Sequence, residues 1–123
     1  MSPASPTCPV RVREVGETTV VQFTGRGVLL DETNAPAVGD ELLAVVQRQR
    51  PRTLVVDFEN VAFLSSTTLG LLLVLRKELQ AWGGRLVLCH LAPQVYGVFE
   101  ATRLHLLLDV RCNGQDSSAG QRN

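Results

Sequence analysis

Hydrophobic and polar positions change period along the chain. Val10 and Val12 alternate with Arg11 and Arg13, and Val15 follows Glu14 less regularly, the two-residue period of a half-buried strand. Gly16-Glu17 is a turn signal; Thr18 to Phe23 is a β-branched and aromatic run closed by Gly25-Arg26-Gly27, so a second strand is expected. Val28-Leu29-Leu30 predicts a short third strand, stopped by Asp31-Glu32-Thr33-Asn34. The period then lengthens. Val38, Leu42, Val45 and Val46 recur at i, i+4, i+7 and i+8, with Asp40, Glu41, Gln47 and Arg48 elsewhere. This predicts an amphipathic helix that starts near Pro36 and stops at Arg50-Pro51.

Thr53 to Phe58 shows little alternation, as expected of a central strand covered on both faces. Glu59 to Leu64 reads as a loop leading to Ser65-Ser66-Thr67-Thr68, and a helix follows from about Thr67 to Ala81. Leu69, Leu71, Leu72, Leu73, Val74 and Leu75 make its first half apolar almost all round, before Arg76, Lys77, Glu78 and Gln80. That predicts a helix buried at its start and surfacing at its end. Gly83-Gly84 caps it, Arg85 to His90 is another buried-type strand, and Val95, Val98 and Phe99 have helical spacing within Pro93 to Thr102. Leu104 to Val110 fits a last strand or a short helix equally. The order β-β-β-α-β-α-β-α plus a last short element predicts an α/β domain. Its central sheet is mixed but mainly parallel, covered by helices, with the first hairpin antiparallel at one side.

Composition narrows the class. With 123 residues, one domain is expected. Residues 1–9 hold three of the six prolines and read as a flexible lead; residues 113–123 read as a disordered tail, leaving 10–112 as the folded unit. Twelve Lys and Arg balance twelve Asp and Glu, so no long-range field draws in nucleic acid or an anionic membrane. The longest apolar stretch, Leu69 to Leu75, is too short to insert in a bilayer, and the N-terminus has no signal-peptide pattern. Cys8, Cys89 and Cys112 are odd in number and without a CxxC, which points to a reducing, cytoplasmic setting rather than to disulfides or zinc.

The chemistry-bearing stretch is Phe63-Leu64-Ser65-Ser66-Thr67-Thr68-Leu69-Gly70, where four hydroxyls stand at a loop-to-helix junction. One is needed as an N-cap, accepting a backbone N–H of the first turn. A hydroxyl there is also suited to phosphorylation, because the exposed N–H groups and positive dipole end favour a phosphate. Asp31, Thr33 and Asn34 read as turn and cap chemistry before a helix. Cys89 reads as a small core hydrophobe, and Cys89 and His90, adjacent on a strand, are expected on opposite faces. His90 and His105 have no partner at ligand spacing, so no metal site is expected. Trp82 is expected to close the core edge. Phosphate-loop, dinucleotide and nucleophile-elbow motifs are missing, as is any acid/base pair, so the expectation is a non-enzymatic protein without a cofactor.

Val55-Val56-Asp57-Phe58, Val61-Ala62-Phe63-Leu64-Ser65-Ser66, Leu69-Gly70 and Gly83-Gly84-Arg85-Leu86-Val87-Leu88, in that order, resemble the STAS domain of bacterial anti-sigma factor antagonists. Leu30-Asp31-Glu32-Thr33-Asn34-Ala35, Leu91-Ala92-Pro93-Gln94-Val95 and Thr102-Arg103-Leu104 extend the similarity over nearly all of residues 10–110. The resemblance implies a protein that binds an anti-sigma factor acting as a serine kinase, is switched by phosphorylation, and is reset by a phosphatase. It places the phosphoacceptor on Ser66, with Ser65, Thr67 and Thr68 as alternatives. It places the partner surface on Asp31, Thr33, Asn34, Ser65, Thr67, Thr68 and Leu69. Some relatives instead serve, unphosphorylated, as scaffolds in stress-signalling complexes or as accessory subunits of lipid-transport systems. Two positions depart from the family pattern: Ser65 replaces an Asp, removing a charge beside the acceptor, and Thr68 replaces a Gly. A β-branched Thr68 is expected to crowd a docking partner. Asp57 also resembles the phosphoacceptor strand of a receiver domain, but the acidic pair and late Lys of that family are lacking. It therefore reads as a polar strand end bonding the next loop.

Overall fold

The computed structural model describes residues 10–112; the segments read above as lead (1–9) and tail (113–123) lie outside the described residues. Strand β1 (Val10–Val15) pairs antiparallel with β2 (Thr18–Phe23), Val12 opposite Val21. Gly16 joins them at φ +64°, left-handed backbone that glycine adopts at no steric cost. Strand β2 pairs in parallel with β4 (Thr53–Asp57), β4 with β6 (Arg85–Leu91), and β6 with β7 (Asp109–Cys112). The main sheet therefore runs β1-β2-β4-β6-β7, one antiparallel edge pair on a parallel sheet, as strand–helix alternation after an initial hairpin dictates. Helices α1 (Ala35–Gln49), α2 (Ser66–Gln80) and α3 (Pro93–Ala101) lie in the successive crossovers.

Two expectations are corrected, and one left open is decided. Val61–Leu64, read as loop, is strand β5. It pairs in parallel with β3 (Val28–Leu30) in a separate two-stranded sheet, Leu29 opposite Phe63 and Leu30 opposite Leu64. Val61 and Leu64 are buried while Phe63 is exposed, so this short strand carries no alternation to read. Leu104 to Val110 is both things at once: a 3-10 turn at Leu104–Leu106, then the start of β7 at Asp109. Helix α2 is not buried at its start and exposed at its end. Thr68, Leu69, Leu72, Leu75 and Leu79 form one buried stripe along its whole length, and Ser66, Thr67, Gly70, Val74 and Lys77 lie exposed opposite.

Leu54, Val56, Leu86 and Leu88 on the two central strands are at most 3% exposed, each burial contributing roughly 1.5–3 kcal/mol. Phe58, just beyond β4, stacks obliquely on Phe23 (5.9 Å between centroids) and edge-on to Phe99 of α3 (6.5 Å). Helices α1 and α2 approach closely at Gly39, where a Cβ would stand 2.7 Å from Leu71 Cδ2. Beyond α2, Trp82 closes the core edge as expected: its Nε1–H donates to the Pro51 carbonyl at 2.8 Å, and the Arg50 guanidinium covers its ring.

Candidate functional site

Strand β5 ends at Leu64 and α2 begins at Ser66, which leaves Ser65 as the cap. Its backbone is extended (φ −88°, ψ 171°), and its Oγ accepts the Thr68 N–H at 3.4 Å, the capping role expected of one hydroxyl in this stretch. The Thr68 hydroxyl donates to the Leu30 carbonyl at 3.0 Å, and the same carbonyl accepts the Ser65 N–H at 2.8 Å. Leu30 is the last residue of β3, so these two bonds staple the start of α2 to the end of β3. Ser65 and Thr68 are 6% and 4% exposed. Two of the four hydroxyls are thus used inside the fold, and Ser66 and Thr67 face solvent. Ser66 occupies the first helical position, where the N–H groups have no intrahelical carbonyl to bond and the dipole end is positive. An exposed hydroxyl in that setting can take a phosphoryl group without repulsion from the backbone.

The Asp31 loop follows Leu30 directly. Asp31 Oδ1 accepts the N–H groups of Thr33 (2.9 Å) and Asn34 (3.2 Å), Asn34 Oδ1 accepts the Asp31 N–H (3.0 Å), and Asn34 Nδ2 donates to the Leu29 carbonyl (2.7 Å). This is a reciprocal Asx turn; the Leu30 staple sets it beside the tip of α2. Thr33 is exposed, and Asp31 and Asn34 are half-buried.

Three of the expected partner-contact residues are corrected. Leu69 is 5% exposed and belongs to the core, and Ser65 and Thr68 are buried, so none of the three presents a surface. Thr68 does not project outward as expected, because its side chain turns inward to Leu30. The apolar pair Leu29 and Phe63, cross-strand neighbours 53% and 48% exposed, escaped the sequence reading. So did Val74, which falls on the face of Ser66 and Gly70 at i, i+4, i+8. The spacing was there to read, but in a helix rich in leucine it does not say which face is outward.

A second cluster stands at the carboxyl end of the central strands. Asp57 of β4 and Cys89 of β6 are register partners on neighbouring parallel strands, so their side chains share a face. His90 has φ +58°, and the β6–β7 register shifts between Cys89 and Leu91. This bulge overturns the expected alternation: His90 Nδ1 lies 3.1 Å from Asp57 Oδ1 and 3.5 Å from Cys89 Sγ. Asp57 also bonds the next loop as expected, its Oδ1 accepting the Glu59 N–H at 2.9 Å, while Oδ2 accepts Gln22 Nε2 at 3.2 Å. Cys89 is half-buried rather than core. Burial, then the charges of Asp57 and Glu59, push its thiol up to about 11, so at neutral pH it is not a thiolate nucleophile. Thiol and carboxylate meet the same imidazole nitrogen, which is not the geometry of a proton relay. His105 Nδ1 lies 3.2 Å from the Phe99 carbonyl, a local contact.

Among the described residues, no helix is long and apolar enough to cross a membrane. A family model for the STAS domain matches residues 9–116. A protein of Bordetella bronchiseptica described as a candidate anti-sigma factor antagonist, BtrV, is 32% identical over 91 residues, 74% of this chain and 77% of that protein. The structure of an anti-sigma-factor antagonist (STAS) domain protein from Planctomyces limnophilus superposes with a TM-score of 0.74 at 27% identity, covering 85% of this chain and 89% of that one. The anti-sigma factor antagonist SpoIIAA in its unphosphorylated form gives 0.59 at 26% identity, covering 74% and 81%.

Proposed function

Since the chain belongs to the STAS domain family, we propose that it acts as an anti-sigma factor antagonist: it captures an anti-sigma factor that is also a serine kinase, and phosphorylation of Ser66 ends the capture. The observation that carries this reading is the sorting of hydroxyls at the tip of α2. Ser65 and Thr68 are buried and bonded within the fold, and Ser66 stands exposed at the first helical position. Thr67 is the remaining accessible alternative.

The docking face on this reading combines Ser66 and Thr67 with Thr33 and the edges of Asp31 and Asn34. The exposed apolar side chains Leu29, Phe63 and Val74 supply area that gains from leaving water. A phosphate on Ser66 places about two negative charges beside that apolar surface, where docking would have to desolvate them. A phosphatase returns the serine. The role is regulatory, and ATP belongs to the partner.

Incubation with ATP and the candidate kinase, followed by mass spectrometry, is expected to place the phosphate on Ser66 and to lose it in Ser66→Ala. Ser66→Asp is expected to weaken capture of the kinase by tenfold or more in a pull-down or calorimetric titration. Modification confined to residues outside 65–68 defeats the assignment. Undiminished capture by Ser66→Asp favours a scaffold or accessory subunit using the same face without a phosphate.

A further inference from the structure

We propose that Asp57, Cys89 and His90 form a binding site for a divalent transition-metal cation of zinc type, at the carboxyl end of β4 and β6. The three donor atoms, a carboxylate oxygen, a sulfur and an imidazole nitrogen, lie within 4.8 Å of one another, the cluster of metal-binding donors found among the described residues. A tetrahedral centre with bonds of about 2.0–2.1 Å to nitrogen and oxygen and about 2.3 Å to sulfur separates its donors by roughly 3.3–3.6 Å. The observed edges His90 Nδ1 to Asp57 Oδ1, 3.1 Å, and His90 Nδ1 to Cys89 Sγ, 3.5 Å, are already close to that figure.

The backbone accounts for the convergence. Register pairing puts Asp57 and Cys89 on one face, and the bulge at His90 turns the next residue onto the same face. A left-handed φ on a residue other than glycine is strained unless its surroundings hold it. The outer contacts suit a ligand set as well: Gln22 and the Glu59 N–H hold the carboxylate in place. The His90 side chain is 44% exposed, so a cation has an entry path. Sulfur, imidazole and carboxylate together select a borderline cation over magnesium or calcium. Binding balances in charge and protons. Cys89 Sγ–H gives its proton to solvent as the sulfur–metal bond forms; the neutral imidazole offers the Nδ1 lone pair. Thiolate and carboxylate then cancel the two positive charges, and water takes the fourth position.

Cobalt(II) is the probe, added to the untagged, chelator-treated 123-residue chain. One equivalent is expected to produce a thiolate-to-cobalt charge-transfer band that one equivalent of zinc(II) removes. The band is expected to persist in the double variant Cys8→Ser, Cys112→Ser and to vanish in Cys89→Ser. His90→Asn, which tolerates the left-handed backbone, is expected to weaken affinity by at least about 10-fold, the low end of what losing even an outer hydrogen-bond partner costs. Circular dichroism establishes that each variant is folded. Absence of the band, its retention in Cys89→Ser, or unchanged affinity in His90→Asn overturns the proposal.

Discussion

At the scale of single residues, neighbours in sequence have opposite fates. Ser65 and Ser66 differ in position by one, yet one caps a helix from inside and the other meets solvent. The cap's φ and ψ are extended and the next residue's are helical, so their side chains leave the chain in different directions. Thr68 is the residue that ties this arrangement to the rest of the fold, through Leu30. Thr68→Val keeps the shape and removes the donor. It is expected to cost about 1 kcal/mol in urea unfolding, since the Leu30 carbonyl still accepts the Ser65 N–H. On the proposed function, a loss of partner capture in that variant beyond the stability change marks the Leu30 staple as setting the docking geometry.

At the scale of elements, α2 serves two surfaces at once. Its inner stripe packs the core and α1, and its outer stripe carries Ser66, Gly70 and Val74. Two glycines separate these demands. A Cβ at Gly39 of α1 would meet Leu71 of α2 at 2.7 Å, whereas one at Gly70 would meet nothing within 4 Å. Gly39→Leu is therefore expected to destabilise by about 1–3 kcal/mol through overpacking. Gly70→Ala is expected to stabilise by about 0.5–1 kcal/mol, because alanine lowers the entropy of the unfolded chain and favours helix. Chemical denaturation of the two variants checks the opposite signs. Helix α1 was legible from its long, regular period, and the central strands β4 and β6 from nearly unbroken apolar runs. Strand β5 was not: four residues give too few positions for a period, and its partner β3 lies more than thirty positions earlier.

At the scale of the whole molecule, the main sheet closes on edges from the two ends of the described chain, β1 on one side and β7 on the other. Charged Arg11, Arg13 and Glu14 along β1 discourage another strand from adding there. Strand β7 is tied to β6 by Asp109, which pairs with Arg85 at 2.6 Å and with Arg111 at 3.1 Å. The Arg111 hydrogen bond, then that of Arg85, holds the Asp109 carboxyl below its ordinary value of 3.8 against a burial effect that raises it. A depressed folded-state pKa gives stability that is present above the unfolded value and lost as pH falls through the folded one. The stability gap between the parent and Asp109→Asn is thus expected at neutral pH and to close below about pH 3.8, measured by thermal unfolding across a pH series. Because these side chains are largely solvated, added salt is expected to narrow the gap as well.

What the sequence by itself determined is what local periodicity and ordered motifs encode: strand–helix alternation, the mixed sheet, the hydroxyl-rich start of α2, and the family resemblance. Those features depend on neighbours within a turn or two, so they can be read along the chain. Only the tertiary structure decided which hydroxyls are accessible, that the exposed Leu29 and Phe63 stand opposite each other, and that Asp57, Cys89 and His90 converge. Each of these depends on strands brought together from some thirty residues apart, and on one bulge that reverses the side-chain alternation on which reading a strand from sequence relies.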